Sequence, residues 1–109
     1  MIKNKTNGKI IVKESEFCKN KAIGLMFSKR SDKGLIFEFN REKRISLHML
    51  FVFYPIDLLF LDRNKKVTEI KKNFMPFAFY TSKNKVKYVI ELPAGKTKGI
   101  RIGNSISLK

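Results

Sequence analysis

Three polar side chains in the apolar middle of the sequence could together hydrolyse a substrate. Ser46 and His48 are two residues apart, so their side chains would share one face of a β-strand. Asp57 follows nearby and could orient the histidine, which would complete a set of nucleophile, base and carboxylate. However, the sequence has neither a nucleophile elbow nor a glycine-rich oxyanion turn. We therefore assign no catalytic residue, and a hydrolase using Ser46, His48 and Asp57 stays an alternative that only geometry can test.

A second arrangement of the same region is a small binding pocket formed by His48, Asp57 and Glu91. Both acids lie between apolar residues, where an ionised carboxylate needs hydrogen-bond or charge partners. If the three side chains converge, they would hold a cation or a basic group of a ligand. The alternative is structural: Asp57 would accept backbone N–H groups at the bend after Pro55, and His48 would bond to a backbone group.

The cysteine and histidine counts limit the cofactor chemistry. Cys18 is the single cysteine, so no intrachain disulfide can form, and one histidine leaves no Cys/His zinc cluster. We therefore predict neither a metal nor another cofactor.

The N-terminus has no apolar signal segment. Residues 45–61, the longest apolar stretch, are too few to span a membrane and include Pro55 and Asp57. The sequence thus predicts a cytoplasmic protein without a membrane span.

A large basic excess suggests a polyanionic partner. Lys and Arg number 24 against 9 acidic residues, a net charge of +15, which attracts nucleic acid or anionic lipid in a salt-dependent way. Lysines interleave with aromatic residues between Lys65 and Lys87, and exposed rings there could stack bases. In an extended segment Lys83, Lys85 and Lys87 would share one face. The opposing interpretation is that the rings form core and the lysines a solvated surface. The candidate nucleic-acid contacts are Lys65, Lys66, Lys71, Lys72, Lys83, Lys85 and Lys87, and the interleaved rings are Phe74, Phe77, Phe79 and Tyr80.

The elements that must position these residues are predicted to be mostly β-strands. A chain of 109 residues with 43% hydrophobic residues supports one domain over 1–109. Residues 45–62 contain no Lys or Arg, so we place them at the centre of the core. Residues 15–24 have helical spacing, with Ser15 as N-cap and Gly24 at the end. The predicted fold is mainly β, a small β-sandwich, jelly-roll-like or partly open barrel, with one short N-terminal helix. The predicted strands are 10–12, 34–39, 45–53, 58–61, 66–70, 77–80, 87–92 and 100–108, the last interrupted at residues 103–104. Strands 58–61 and 66–70 are predicted to pair as a hairpin around a turn at 62–65.

Four sequence blocks, in this order, give the chain a resemblance to a known family. They comprise residues 24–27 with 34–37, residues 46–49 with 55–62, residues 88–95, and residues 99–104. Over about 9–108 the chain resembles the Domain of Unknown Function 192 family. The resemblance implies a compact, mostly β fold and no established activity. Many members have a polar segment after the methionine, whereas this chain has Leu50, Phe51 and Val52 there.

The function that the sequence favours is a non-enzymatic binding module for a small ligand or a protein partner. Its site would lie near the bend at residues 54–57 or at an exposed strand edge. Weak, salt-dependent nucleic-acid binding through the lysine-rich segment is the first alternative, and the hydrolase is the second.

Overall fold

The computed structural model describes residues 1–17, 33–48, 55–75 and 79–108, and these contain ten strands and no helix. The strands are β1 (Ile2–Asn4), β2 (Ile10–Val12), β3 (Ser15–Phe17), β4 (Gly34–Lys43), β5 (Ser46–His48), β6 (Ile56–Leu61), β7 (Val67–Phe74), β8 (Phe79–Thr81), β9 (Val86–Pro93) and β10 (Ile106–Leu108). The prediction of a mainly β fold is confirmed.

The strands form one large sheet and two small ones. The large sheet has the order β3-β4-β9-β6-β7, and the small sheets have the orders β10-β1-β2 and β5-β8. All six residues of β6 are buried, because the strand lies between β7 and β9 in the large sheet. Within the segment without Lys or Arg, the part that forms β6 thus lies at the centre of the core, and residues 49–54 lie outside the described chain. The predicted hairpin is also present: Asp62 Oδ1 accepts the backbone N–H groups of Asn64 and Lys66 in the turn between β6 and β7.

Each face of the large sheet has its own apolar core. Strands β1, β2 and β10 pack over one face, which we call the front face, and it includes Ile36, Leu59 and Ile90. The opposite face, called the back face, includes Phe37 of β4 and Phe60 of β6, the two strands on either side of β9. The two sets alternate along β4, β6 and β9, as side chains of a strand must. A residue's register position therefore decides which core its side chain faces.

The predicted N-terminal helix is wrong where the structure describes it. Ser15–Phe17 is strand β3, which pairs in parallel with Gly34–Ile36. Ser15 is thus a strand residue and not an N-cap; the rest of the predicted helix lies outside the described residues. The pairing partner is distant in sequence, so local helical spacing could not reveal it. The last predicted strand is shorter than expected, because Gly99 and Gly103 have positive φ values of 85° and 91° and turn the chain before β10.

Candidate functional site

Asp57, at the start of β6, has its carboxylate fully engaged in local hydrogen bonds. Only 2% of the residue is exposed. Its Oδ1 accepts the N–H of Asn73 at 2.9 Å, where β7 has a bulge and Asn73 has a φ of 53°. Its Oδ2 accepts the N–H of Gly95 at 3.0 Å, and the N–H and hydroxyl of Thr97 at 3.3 and 2.6 Å. Asp57 thus ties β7 to the turn that follows β9. Its role is structural, but the N–H groups it accepts come from distant segments and not from the bend after Pro55.

Glu91 of β9 lies in very different surroundings. It is 4% exposed, and its register partners are Leu35 on β4 and Leu58 on β6. Its Oε2 is buried and has no hydrogen-bond partner within the described ranges. Burial raises the pKa of this carboxyl from its ordinary value of 4.5 to about 8. At neutral pH, Glu91 is therefore mostly a neutral acid buried among apolar side chains.

A third buried carboxylate, that of Glu69, differs from Glu91 in having hydrogen-bond partners at both oxygens. Glu69 on β7 is also buried, but its Oε1 accepts the N–H groups of Lys83 and Asn84 at 2.8 and 3.3 Å. Its Oε2 accepts a short hydrogen bond from the hydroxyl of Tyr80. Buried polar atoms normally have such partners, so an oxygen without one calls for an explanation.

The register places Asp57 and Glu91 on opposite faces of the sheet. Asp57 pairs with Leu92, and Leu58 pairs with Glu91, so the two acids occupy successive register positions. Asp57 therefore projects to the front face and Glu91 to the back face. The structure does not bring these carboxylates into one pocket. The backbone of His48 pairs with that of Phe79 in the sheet of β5 and β8, and its side chain lies outside the described part of the chain.

The groups of the imagined hydrolase have separate partners. The hydroxyl of Ser46 lies 3.0 Å from that of Thr81 on the neighbouring strand β8. Both carboxylate oxygens of Asp57 already accept hydrogen bonds, one from the bulge of β7 and the other from the turn that follows β9. No described contact joins Ser46 to Asp57, and positions 50–52 lie outside the described residues.

The candidate nucleic-acid lysines do not form the regular row that the sequence predicts. Lys83 and Lys85 lie in the turn before β9 begins at Val86, so strand alternation applies to Lys87 alone. Lys87 is 3.3 Å from a carboxylate oxygen of Glu38 and also donates a short hydrogen bond to a backbone carbonyl. Lys65 and Lys71 lie over the rings of Tyr88 and Tyr80, at 5.9 and 5.5 Å from the ring centroids. Lys66 and Lys72 are exposed.

The interleaved aromatic residues divide between core and surface. Phe74 is buried in the back-face core, and Tyr80 packs edge-on against it with ring centroids 6.3 Å apart. Phe79 is 61% exposed. Phe77 lies outside the described residues. The core interpretation thus holds for Phe74, while the described part of this segment offers Phe79 as an exposed ring.

A cavity that the sequence did not suggest opens where β4 begins and β9 ends. Its volume is about 700 Å³, and it is lined by Ile10, Ile11, Val12, Lys13, Glu14, Lys33 and Lys96. The three lysines come from separate segments, so no motif of the sequence could have indicated it. Within the described residues, no group of three or more His, Cys, Asp or Glu side chains is placed to hold a metal ion.

The comparisons with known proteins agree on one family. The DUF192 family model, described as "Uncharacterized ACR", matches residues 2–108. The chain belongs to the Domain of Unknown Function 192 family. A UPF0127 protein of Pyrococcus furiosus is 38% identical over 104 residues, covering 91% of this chain and 88% of the relative. A UPF0127 protein of Thermococcus sibiricus is 36% identical over 100 residues, and the match covers 87% of this chain and 64% of that protein.

Solved structures of this family's fold extend the comparison. A Sinorhizobium meliloti protein, named a "putative transcription regulator", superposes with a TM-score of 0.77 at 27% identity, covering 85% of this chain and 79% of its own. A Novosphingobium aromaticivorans protein of unknown function superposes with a TM-score of 0.84 at 24% identity, covering 98% and 83%. The second likeness concerns the fold alone. In this DUF192 chain, no helix of the described segments is long and apolar enough to cross a membrane.

Proposed function

We propose that the protein is a non-enzymatic binding module in which Glu91 anchors a small ligand or a side chain of a protein partner. The observation that supports this is the buried Oε2 of Glu91, which has no hydrogen-bond partner in the described chain. Leaving such a group unpaired costs about 1–3 kcal/mol, and a bound partner would remove that cost. The two other carboxylates that are buried in the described chain, Asp57 and Glu69, accept hydrogen bonds at both oxygens.

The chemistry of the ligand follows from the state of the carboxyl. A neutral acid among apolar side chains can donate a hydrogen bond to an amide or carbonyl oxygen. An ammonium group would instead displace the proton, which passes to the solvent, and would form an ion pair with the carboxylate in a site of low dielectric. In either case the ligand has an apolar portion that contacts Leu35, the half-buried register partner of Glu91 on β4.

Two matched probes, butylamine and butyramide, test the proposal. We expect at least one of them, at concentrations up to about 20 mM, to shift the backbone amide NMR signals around Glu91. A shift with butylamine, accompanied by proton release in calorimetry, identifies a basic ligand group, and a shift with butyramide identifies a neutral one. Glu91→Leu should abolish the shift. Glu38→Leu, which removes an exposed carboxylate from the adjacent strand β4, should preserve it. Unchanged signals with both probes would contradict the proposal.

Nucleic-acid binding is a second candidate, supported by two observations. The net charge is +15, and the S. meliloti relative in fold is named a "putative transcription regulator". Fluorescence anisotropy with a labelled single strand and a duplex, at about 50 and 200 mM salt, measures the number of phosphate contacts from the salt slope. Replacing Lys66, Lys72 and Lys85 together by Glu should weaken nucleic-acid binding strongly. The control variant, with Lys3, Lys9 and Lys98 replaced by Glu, should lose far less. Equal losses in the two triple variants would show that only the total charge matters.

A further inference from the structure

The cavity of about 700 Å³ lies where the small sheet of β1, β2 and β10, called the small front sheet, packs on the large sheet. Strand β4 begins beside the end of β9, because Leu35 pairs with Glu91, and this brings Lys33 near the turn that contains Lys96. A Cβ atom built on Gly34 would lie 2.9 Å from Val12 Cγ2, so β2 lies directly against the start of β4. The N–H of Gly34 also donates to the carbonyl of Glu14 at 3.0 Å. Lys13 and Glu14 are thereby held at the same opening.

The lining combines an apolar wall with a positive rim. Ile10, Ile11 and Val12 form the apolar part, and half of Ile10 is exposed although it is a large aliphatic residue. The lining contains three basic side chains, those of Lys13, Lys33 and Lys96, and one acidic side chain, that of Glu14. Lys33 also lies 4.0 Å from Glu16, with both side chains about half exposed. The net positive rim favours an anion, and the volume falls in the range of small-molecule sites.

We propose that this cavity binds a small organic anion with an apolar body, of the kind represented by a medium-chain carboxylate. The hydrocarbon portion packs on Ile10, Ile11 and Val12, and the carboxylate lies among the ammonium groups of Lys13, Lys33 and Lys96. The cavity adjoins the front face of the large sheet, whereas Glu91 projects from the back face. The two sites are therefore independent, and either can fail without the other.

Octanoate is the probe, and 1-octanol and octylammonium are its matched controls. We expect octanoate at concentrations up to about 5 mM to shift the amide NMR signals of Ile11, Val12, Gly34 and Lys96 in a saturable way. Octanol lacks the charge and octylammonium reverses it, so both should bind at least about tenfold more weakly. Acetate keeps the charge but lacks the chain and should also bind more weakly.

Two triple variants that lose the same charge, one at the cavity and one elsewhere, test whether octanoate binds in the cavity. Lys13→Gln, Lys33→Gln and Lys96→Gln together should weaken octanoate binding about tenfold, as expected for three exposed charge pairs. Lys66→Gln, Lys72→Gln and Lys98→Gln, also at exposed positions, should leave it unchanged. Absence of saturable shifts with octanoate, octanol binding as tightly as octanoate, or equal weakening by both triple variants would each overturn the proposal. The butylamine and butyramide experiment reports on Glu91 and is unaffected by these outcomes.

Discussion

The protonation of Glu91 should make the stability of the protein depend on pH. The pKa is about 8 in the folded protein and 4.5 is its ordinary value, so between these pH values only the folded state holds the proton. The free energy of unfolding therefore falls as pH rises from about 4.5 to 8 and levels off above that. We expect Glu91→Gln, which has no charge to bury, to flatten this fall and to be more stable than the wild type at pH 8.

Urea unfolding at about pH 5, 6.5 and 8 measures this effect. The two proteins should have similar stability at the lowest pH, and the gap at the highest should reach a few kcal/mol at most, roughly 1.4 per unit of pKa change. Glu38→Gln is the control at an exposed position and should leave the pH profile as it is. A wild-type profile that is flat between pH 5 and 8 would show that Glu91 is ionised throughout.

Asp57 is expected to be the most sensitive carboxylate for folding. Asp57→Ala leaves the N–H groups of Asn73, Gly95 and Thr97 without their acceptor. We expect a loss of about 2–3 kcal/mol in the free energy of urea unfolding, because the N–H and hydroxyl of Thr97 are buried and a buried donor left unpaired costs about 1–3 kcal/mol. Asp62→Ala removes the same chemistry from an exposed turn and should cost only about 1 kcal/mol. Equal costs for the two variants would contradict a structural role of Asp57 in the interior.

Between elements, the small front sheet of β1, β2 and β10 approaches the start of β4 closely at Gly34. A Cβ atom at Gly34 would lie 2.6 Å from Ile2 Cδ1 and 2.9 Å from Val12 Cγ2. Gly34→Ala should therefore destabilise the protein by about 1–3 kcal/mol in urea unfolding. Adding Val12→Ala removes one of these two contacts, so the double variant should lose less than the sum of the single losses. Additive losses would show that β2 does not press on β4.

The elements that the sequence predicted well are those whose signals are local. The hairpin of β6 and β7 follows from an apolar run, a polar turn and a second strand pattern within residues 56–74. Strand β3 was missed because its partner, Gly34–Ile36, lies far along the chain. The apolar neighbours of Asp57 and Glu91 correctly indicated burial, but their opposite orientation depends on how β6 aligns with β9. The lysines of the cavity come from three segments that only tertiary packing unites.

For the molecule as a whole, the net charge of +15 should lower stability by self-repulsion at low salt. Three ion pairs are present among the described residues, far fewer than the basic side chains in those same ranges. Raising salt from about 10 to 200 mM shortens the screening length from about 30 Å to below 10 Å, so the free energy of unfolding should rise. The variant Lys66→Gln, Lys72→Gln and Lys98→Gln should be a few tenths of a kcal/mol per site more stable than the wild type at 10 mM salt. At about 500 mM salt, screening should make the two proteins equal in urea unfolding. A free energy of unfolding that is independent of salt would contradict this prediction. It would mean that the basic side chains are too far apart for their repulsion to lower the stability of the fold.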